Sequence, residues 1–173
     1  TTLRALVERE FQRSVIAYDP NIRRSVEPRL ERWRDTLAWM LPRTHLLKVS
    51  DEDLGLLYPG ADIAQLATDW LAAGVALVVV TRGAKGASAW TDSHQVDVPP
   101  VAVNVVDTVG AGDTFQAALL TALAERELLS RDALRSLSAE AIGAALRFAT
   151  RAAAITCSRR GADLPRRAEL PGA

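Results

Sequence analysis

The sequence predicts a single α/β domain over residues 1–173, built on a mainly parallel sheet with helices on both faces. Three observations carry this reading. Short aliphatic and β-branched runs alternate along the chain with longer segments whose apolar residues recur at helical spacing. The most continuous run, residues 75–80, has the pattern of a strand buried on both faces. The chain has 173 residues, 49% of them hydrophobic, which suffices for one sizeable core and is short for two.

Residues 1–14 read as an amphipathic helix, with Leu3, Leu6, Val7 and Phe11 at helical spacing. The chain has no initiator Met and starts inside this element, which predicts further sequence upstream. A short strand at 15–18 ends in the polar cluster Asp19-Pro20-Asn21-Ile22-Arg23. Ligands of α/β sheets gather at such strand ends, although taken alone the cluster reads as a turn with Asn21 bonding its own backbone. A second helix spans 28–41, with Leu30, Trp33, Leu37 and Met40 on one face and the tryptophans assigned to packing. The next strand is 45–49, after which Ser50 and Asp53 make a helix cap with acidic residues in the first turn.

A helix over 61–73 is closed by Gly74. The strand at 75–80 leads into Thr81-Arg82-Gly83-Ala84-Lys85-Gly86, which by itself is a hairpin turn into a strand at 87–91. Asp92-Ser93-His94 turns the chain into a strand at 95–98, and His94 carries no catalytic assignment. After Pro99-Pro100, residues 101–106 are expected to form a buried strand, and 115–124 a buried helix rich in Ala and Leu. A connector with a short helix spans 128–137. Ser138 caps a long helix reaching about residue 158, with Ala141, Ile142, Ala145, Leu146, Phe148, Ala149, Ala152 and Ala153 on its core side. Small residues there permit close packing or leave room for a flat ring. The end, to Ala173, reads as a loose tail.

Lys and Arg number 21 and Asp and Glu 21, so formal net charge is zero and no basic block offers a footprint for nucleic acid. Cys157 is the single cysteine, which excludes an internal disulfide and is read as a buried, inert thiol. No signal peptide and no apolar stretch of about 18 residues is present, so the expectation is a cytoplasmic protein without a membrane partner.

The sequence is organised around Asp107-Thr108-Val109-Gly110-Ala111-Gly112-Asp113-Thr114-Phe115. Two glycines and an aspartate stand where an apolar run hands over to a helix N-terminus. There the first N–H groups lack intrahelical partners and the dipole favours an anion, so phosphate is the natural ligand. In isolation, Asp113 would be a helix cap and Gly-Ala-Gly a turn. The chain lacks a Gly-Lys dipeptide, which excludes a Walker A loop, and Phe115 stands where a dinucleotide fingerprint needs its third glycine.

The nine-residue string resembles the Asp-Thr-x-Gly-Ala-Gly-Asp signature of ribokinase-like carbohydrate kinases, and other segments resemble fructokinase-type members. The resemblance runs from about Thr2 to Pro165. It implies the C-terminal, nucleotide-binding part of a ribokinase-like three-layer fold, with the upstream sugar-binding segment and lid outside this chain. It implies Asp113 as the base, with Gly110, Ala111 and Gly112 completing an anion hole. ATP contacts are implied at Thr81, Arg82, Gly83 and Gly86, at Lys48 and Ser50, at Asn21 and Arg23, and at Ala149 and Thr150, where many relatives have Asn. Asp53 replaces the Glu of a Lys-x-Asn-x-x-Glu segment near Mg2+. Asp107, Val109, Arg159 and Gly161 are the implied surroundings of a K+ ion.

The expected partners are a small-molecule sugar and ATP, with a homodimer formed through the lid of the longer protein. Two other functions remain open. One is a nucleotide-binding regulatory module that has lost sugar phosphorylation. The other is a kinase acting on ribose, a keto-deoxy sugar acid or a nucleoside.

Overall fold

The computed structural model describes residues 2–170. The chain runs through α1 (Thr2–Glu10), β1 (Ala17–Tyr18), α2 (Leu30–Met40), β2 (Leu46–Ser50), α3 (Asp51–Leu57) and α4 (Ile63–Ala72). It continues through β3 (Leu77–Thr81), β4 (Ala87–Trp90), β5 (Gln95–Val98), α5 (Ala111–Ala124), α6 (Arg131–Arg135) and α7 (Ala139–Cys157). Single 3₁₀ turns lie at Leu41–Arg43, Gly83–Lys85 and Arg167–Glu169.

The five strands form one sheet in chain order. β1, β2 and β3 are parallel, as the alternation of strands and helices predicts, and β4 and β5 add an antiparallel meander. The register sets Ser50 beside Thr81, so β2 and β3 finish together and their following loops share one end of the sheet. It also sets Tyr18 beside Leu47, which brings Asp19 level with Lys48.

Side chains alternate across a strand, and here the alternation makes three layers. Leu46, Leu77 and Val79 pack with Phe115 and Leu119 of α5 and Leu146 of α7. Leu47, Val49, Val78 and Val80 pack on the other side with Leu37 of α2, Leu54 of α3 and Trp70 of α4. Each fully buried leucine contributes about 1.5–3 kcal/mol of transfer free energy. The caps follow the sequence: Ser50 Oγ accepts from Asp53 N–H at 3.0 Å, and Ser138 Oγ accepts from Ala141 N–H at 3.2 Å. Asp62, not singled out by sequence, caps α4 by accepting from Ala64 N–H at 2.8 Å.

Two expectations are corrected. Residues 101–106 are not a buried strand: they pair with no strand among the described residues, and Val101, Val103, Val105 and Val106 are exposed. Pro99 and Pro100 lack amide donors for a ladder, and the segment is tied instead by Val106 N–H to Cys157 O at 2.8 Å. The tail is not loose as far as Leu170, which is buried in the core. Arg167 forks onto Glu125 at 2.7 and 3.0 Å and stacks over Phe148, while Arg159 bonds Glu169. Thr1 and residues 171–173, parts of the expected first helix and tail, lie outside the described residues.

Candidate functional site

The first turn of α5 is built to leave amides facing outward. Gly110 takes φ +79° and is the N-cap residue, with no side chain capping the helix. Ala111 N–H bonds Thr108 O at 3.2 Å, leaving Gly112 and Asp113 in the first turn, where N–H groups have no intrahelical acceptor. Asp113 is exposed and no hydrogen bond or ion pair engages its carboxylate, so it is not the cap that its position alone suggests.

Three ties hold this turn in place. Asp107 Oδ1 accepts from Val109 N–H at 3.0 Å, and its Oδ2 accepts from Gly161 N–H at 2.9 Å. These amides hold the Asp107 carboxyl below its ordinary range, the Val109 bond having the larger effect. The hydroxyls of Thr114 and Thr156 meet at 3.0 Å in the interior, joining the start of α5 to the end of α7. Finally, a Cβ on Gly110 would stand 2.9 Å from that of Ala162, so the turn after α7 packs directly on the motif.

Lys48 lies on the other side of Gly112. Period-two alternation puts its side chain on the Leu46 face of β2, toward α5. Its ammonium bonds Asp19 Oδ2 at 2.8 Å, and a Cβ on Gly112 would stand 3.1 Å from Lys48 Nζ. Asp19 Oδ1 also accepts from Asn21 N–H at 3.1 Å, forming the turn foreseen at Asn21, whose φ is +47°. Asp53 is buried beside this group. Burial pushes its carboxyl up, opposed by hydrogen bonds from Ser50 and the Ile22 amide, with nearby Asp19 pushing it further up and Arg23 down.

A cavity of about 480 Å³ runs from the turn after β3 to the start of α5. Thr81, Gly83 and Gly86 line one end, and Ala111 and Gly112 the other. Thr150, Ala153, Ala154 and Cys157 of α7 form a wall, facing Val101, Val103 and Val105 of the exposed segment. The structure therefore brings together the motif, the turn after β3, Lys48 and Thr150. Three expected side chains point elsewhere. Ala149 is fully buried in the core and does not line the cavity. Arg82 reaches across to Asp97 at 3.0 Å. Arg23 is exposed, its guanidinium donating to Ile22 O at 3.0 Å.

Cys157 is half-buried on the cavity wall rather than sealed in the core. Burial raises its thiol, as does the Asp107 charge. Ala153, one of the small residues foreseen as leaving room for a flat ring, lines the cavity, whereas Ala154 and Asp19 were not foreseen as site components; helical spacing from Thr150 was the available signal for Ala154. Among the described residues, no cluster of three or more His, Cys, Asp or Glu is placed to hold a metal ion, and no helix is long and apolar enough to cross a membrane.

The three-layer fold, with the glycine-led N-terminus of α5 beside the sheet, is that of the ribokinase-like class. The chain belongs to the pfkB family of carbohydrate kinases, matching it over residues 2–169. It is 41% identical over 141 residues to a fructokinase from Rhizobium leguminosarum bv. trifolii, covering 82% of this chain and 43% of the relative. The fold is similar to a double mutant of the Vibrio cholerae fructokinase, solved with fructose, ADP and potassium ion. That likeness has a TM-score of 0.82 and 28% identity over 98% of this chain and 53% of the other. A fructokinase from Xylella fastidiosa with bound ATP is similar at a TM-score of 0.81 and 26% identity, over 91% of this chain and 50% of the other. The chain thus spans about half the length of these relatives, or less.

Proposed function

We propose that this chain is the nucleotide-binding and catalytic part of an ATP-dependent kinase that phosphorylates a sugar hydroxyl, in the manner of the fructokinases it resembles. The observation that carries this reading is the continuity of the cavity with the first turn of α5, where Gly112 and Asp113 present unpaired amides. A base enters the apolar end against Ala153 and Ala154, and the phosphates lie toward Gly112. The unpaired amides of Gly112 and Asp113 stabilise charge on the transferring phosphoryl group, whereas Ala111 N–H stays with Thr108 O. Asp113, whose carboxylate is exposed and unengaged, takes the proton from the attacking hydroxyl.

Thr81, Gly83, Gly86 and Thr150 then contact the nucleotide, whereas Ser50 acts by capping α3. ATP would supply the phosphoryl group, and Mg2+ bound with it would screen its charge. Mg2+ is commonly held by phosphates with one or two carboxylates, and Asp53 beside Asp19 fits that modest demand. K+ would require backbone carbonyls near Asp107, Val109, Arg159 and Gly161, because both Asp107 oxygens already accept amides.

The test is ADP release by the full-length protein over fructose, ribose, a keto-deoxy sugar acid and a nucleoside. Release with fructose well above the other acceptors is expected. ATP binding without release on any of them overturns the kinase reading in favour of a regulatory module.

A further inference from the structure

Small side chains dominate the core that α5 and α7 share: Ala118 and Ala122 from the first, Ala145, Ala149 and Ala152 from the second. Apolar burial is non-directional, so such smooth faces by themselves leave two helices free to slide along each other. Among the described residues, two buried polar side chains stand on these helices, Thr114 and Thr156, and their hydroxyls bond each other at 3.0 Å. Thr156 lies in the last turn of α7, and Thr114 directly follows Asp113 in the first turn of α5. A hydroxyl has one hydrogen. Thr114 donates its own to Gly110 O at 2.9 Å, so Thr156 is the donor to Thr114. Thr114 N–H reaches the same carbonyl at 2.8 Å. That carbonyl shares a peptide plane with Ala111 N–H, so the chain from Thr156 through Thr114 to Gly110 fixes the peptide on which α5 begins.

Resting on the kinase reading above, we propose that Thr156 is a positioning residue: its hydroxyl sets the register of α5 against α7. It thereby holds the Gly112 and Asp113 amides and the Asp113 carboxylate in fixed relation to the cavity wall formed by Ala153, Ala154 and Cys157. The other ties from the end of α7 stop short of this turn. Cys157 O accepts from the Val106 and Asp107 amides, and Gly161 N–H donates to Asp107, all ahead of α5. Without the Thr156 hydroxyl, the buried Thr114 oxygen would face a side chain that offers it no donor, which is costly. Rotation of Thr114 about χ1 relieves that cost but gives up Gly110 O, and the first turn of α5 then shifts.

The experiment measures kcat for ADP release by the full-length protein with the best acceptor of the panel above, and adenosine affinity by calorimetry. Urea denaturation of each variant runs alongside. Thr156→Val keeps the shape of the side chain and removes the hydroxyl. It should lower kcat roughly tenfold, because a misplaced catalytic turn is costly to transfer, and leave adenosine binding unchanged. Thr156→Ser keeps the hydroxyl and loses a methyl group, so its urea midpoint should fall while kcat stays near wild type. Thr114→Val should lower kcat at least as far as Thr156→Val. Adding Thr156→Val to Thr114→Val should lower it no further, because Thr156 acts through Thr114.

If Thr156→Val does not fold, Thr156→Ala against Thr156→Ser makes the same comparison of hydroxyl lost with hydroxyl kept. A merely structural threonine would lower the urea midpoint and leave kcat of the folded protein at the wild-type level. That result, or a kcat for Thr156→Ser as low as that for Thr156→Val, overturns the positioning role and leaves the kinase reading intact. Fully additive losses in the double variant overturn it as well. A wild-type protein that releases no ADP with any acceptor overturns both.

Discussion

The packing of the closing turn against the motif makes Gly110→Ala a quantitative test of the site's construction. Two costs add. At φ +79° an L side chain in the left-handed region costs about 1–2 kcal/mol. The new Cβ would also stand 2.9 Å from Ala162 Cβ and 3.3 Å from its Cα, inside the ~3.5–4.0 Å of comfortable carbon contact. The turn must retreat, stretching the bond from Gly161 N–H to Asp107, worth about 1 kcal/mol. The expected loss is about 2–3 kcal/mol, or roughly 30- to 150-fold in the folding equilibrium. Urea denaturation of the full-length protein should show the midpoint falling at constant slope. Adding Ala162→Gly removes the 2.9 Å contact but neither the 3.3 Å contact with Cα nor the backbone cost, so only part of the loss should return. A single variant within about 0.5 kcal/mol of wild type, or no recovery in the double, would refute the reasoning.

Further outcomes follow from the same site. Asp113→Asn should lower kcat by roughly 10²–10⁴ with ATP affinity little changed; near-normal turnover would remove it as the base. Gly112→Val, checked for folding by circular dichroism, should lose ATP while keeping adenosine, because its side chain meets Lys48 Nζ and covers the amides. Undiminished phosphorylation by that variant would place the anion hole elsewhere. Potassium should raise activity over sodium or a large organic cation, and equal rates in all three would eliminate the cation loop. Because its amide partners lower the Asp107 pKa, its stabilising effect is full above its unfolded value, near pH 4, and is lost as pH falls through the lowered folded value. Asp107→Asn should accordingly flatten the acid limb of a stability–pH curve, and an unchanged limb would contradict the linkage.

Much of the fold was legible because its signals are local. The apolar run ending in Val80, the caps at Ser50 and Ser138 and the helical spacing of α7 each depend on residues a few positions apart. Where the reading failed, the deciding partner was remote. Residues 101–106 have strand composition, yet strand formation needs an adjacent ladder and the double proline denies donors at its entry. The polar tail docks because Glu125 and Phe148, far back in sequence, receive Arg167. Ala149 and Ala153 are four residues apart on α7, but only packing against the sheet decides which is core and which is cavity wall.

The motif from Asp107 to Phe115 is a contiguous string, so the sequence by itself determined the family, the helix N-terminus and the two glycines that open it. Tertiary structure decided what those glycines face. Lys48 and Asp19 are 29 residues apart and become partners through the β1–β2 register, while Gly112 reaches them from a third element. Ala162 is distant in sequence from Gly110, yet it sets the space available there. Such juxtapositions arise from chain-crossing contacts that no local pattern encodes, because each side chain alone is compatible with many neighbours and only the packed sheet selects one.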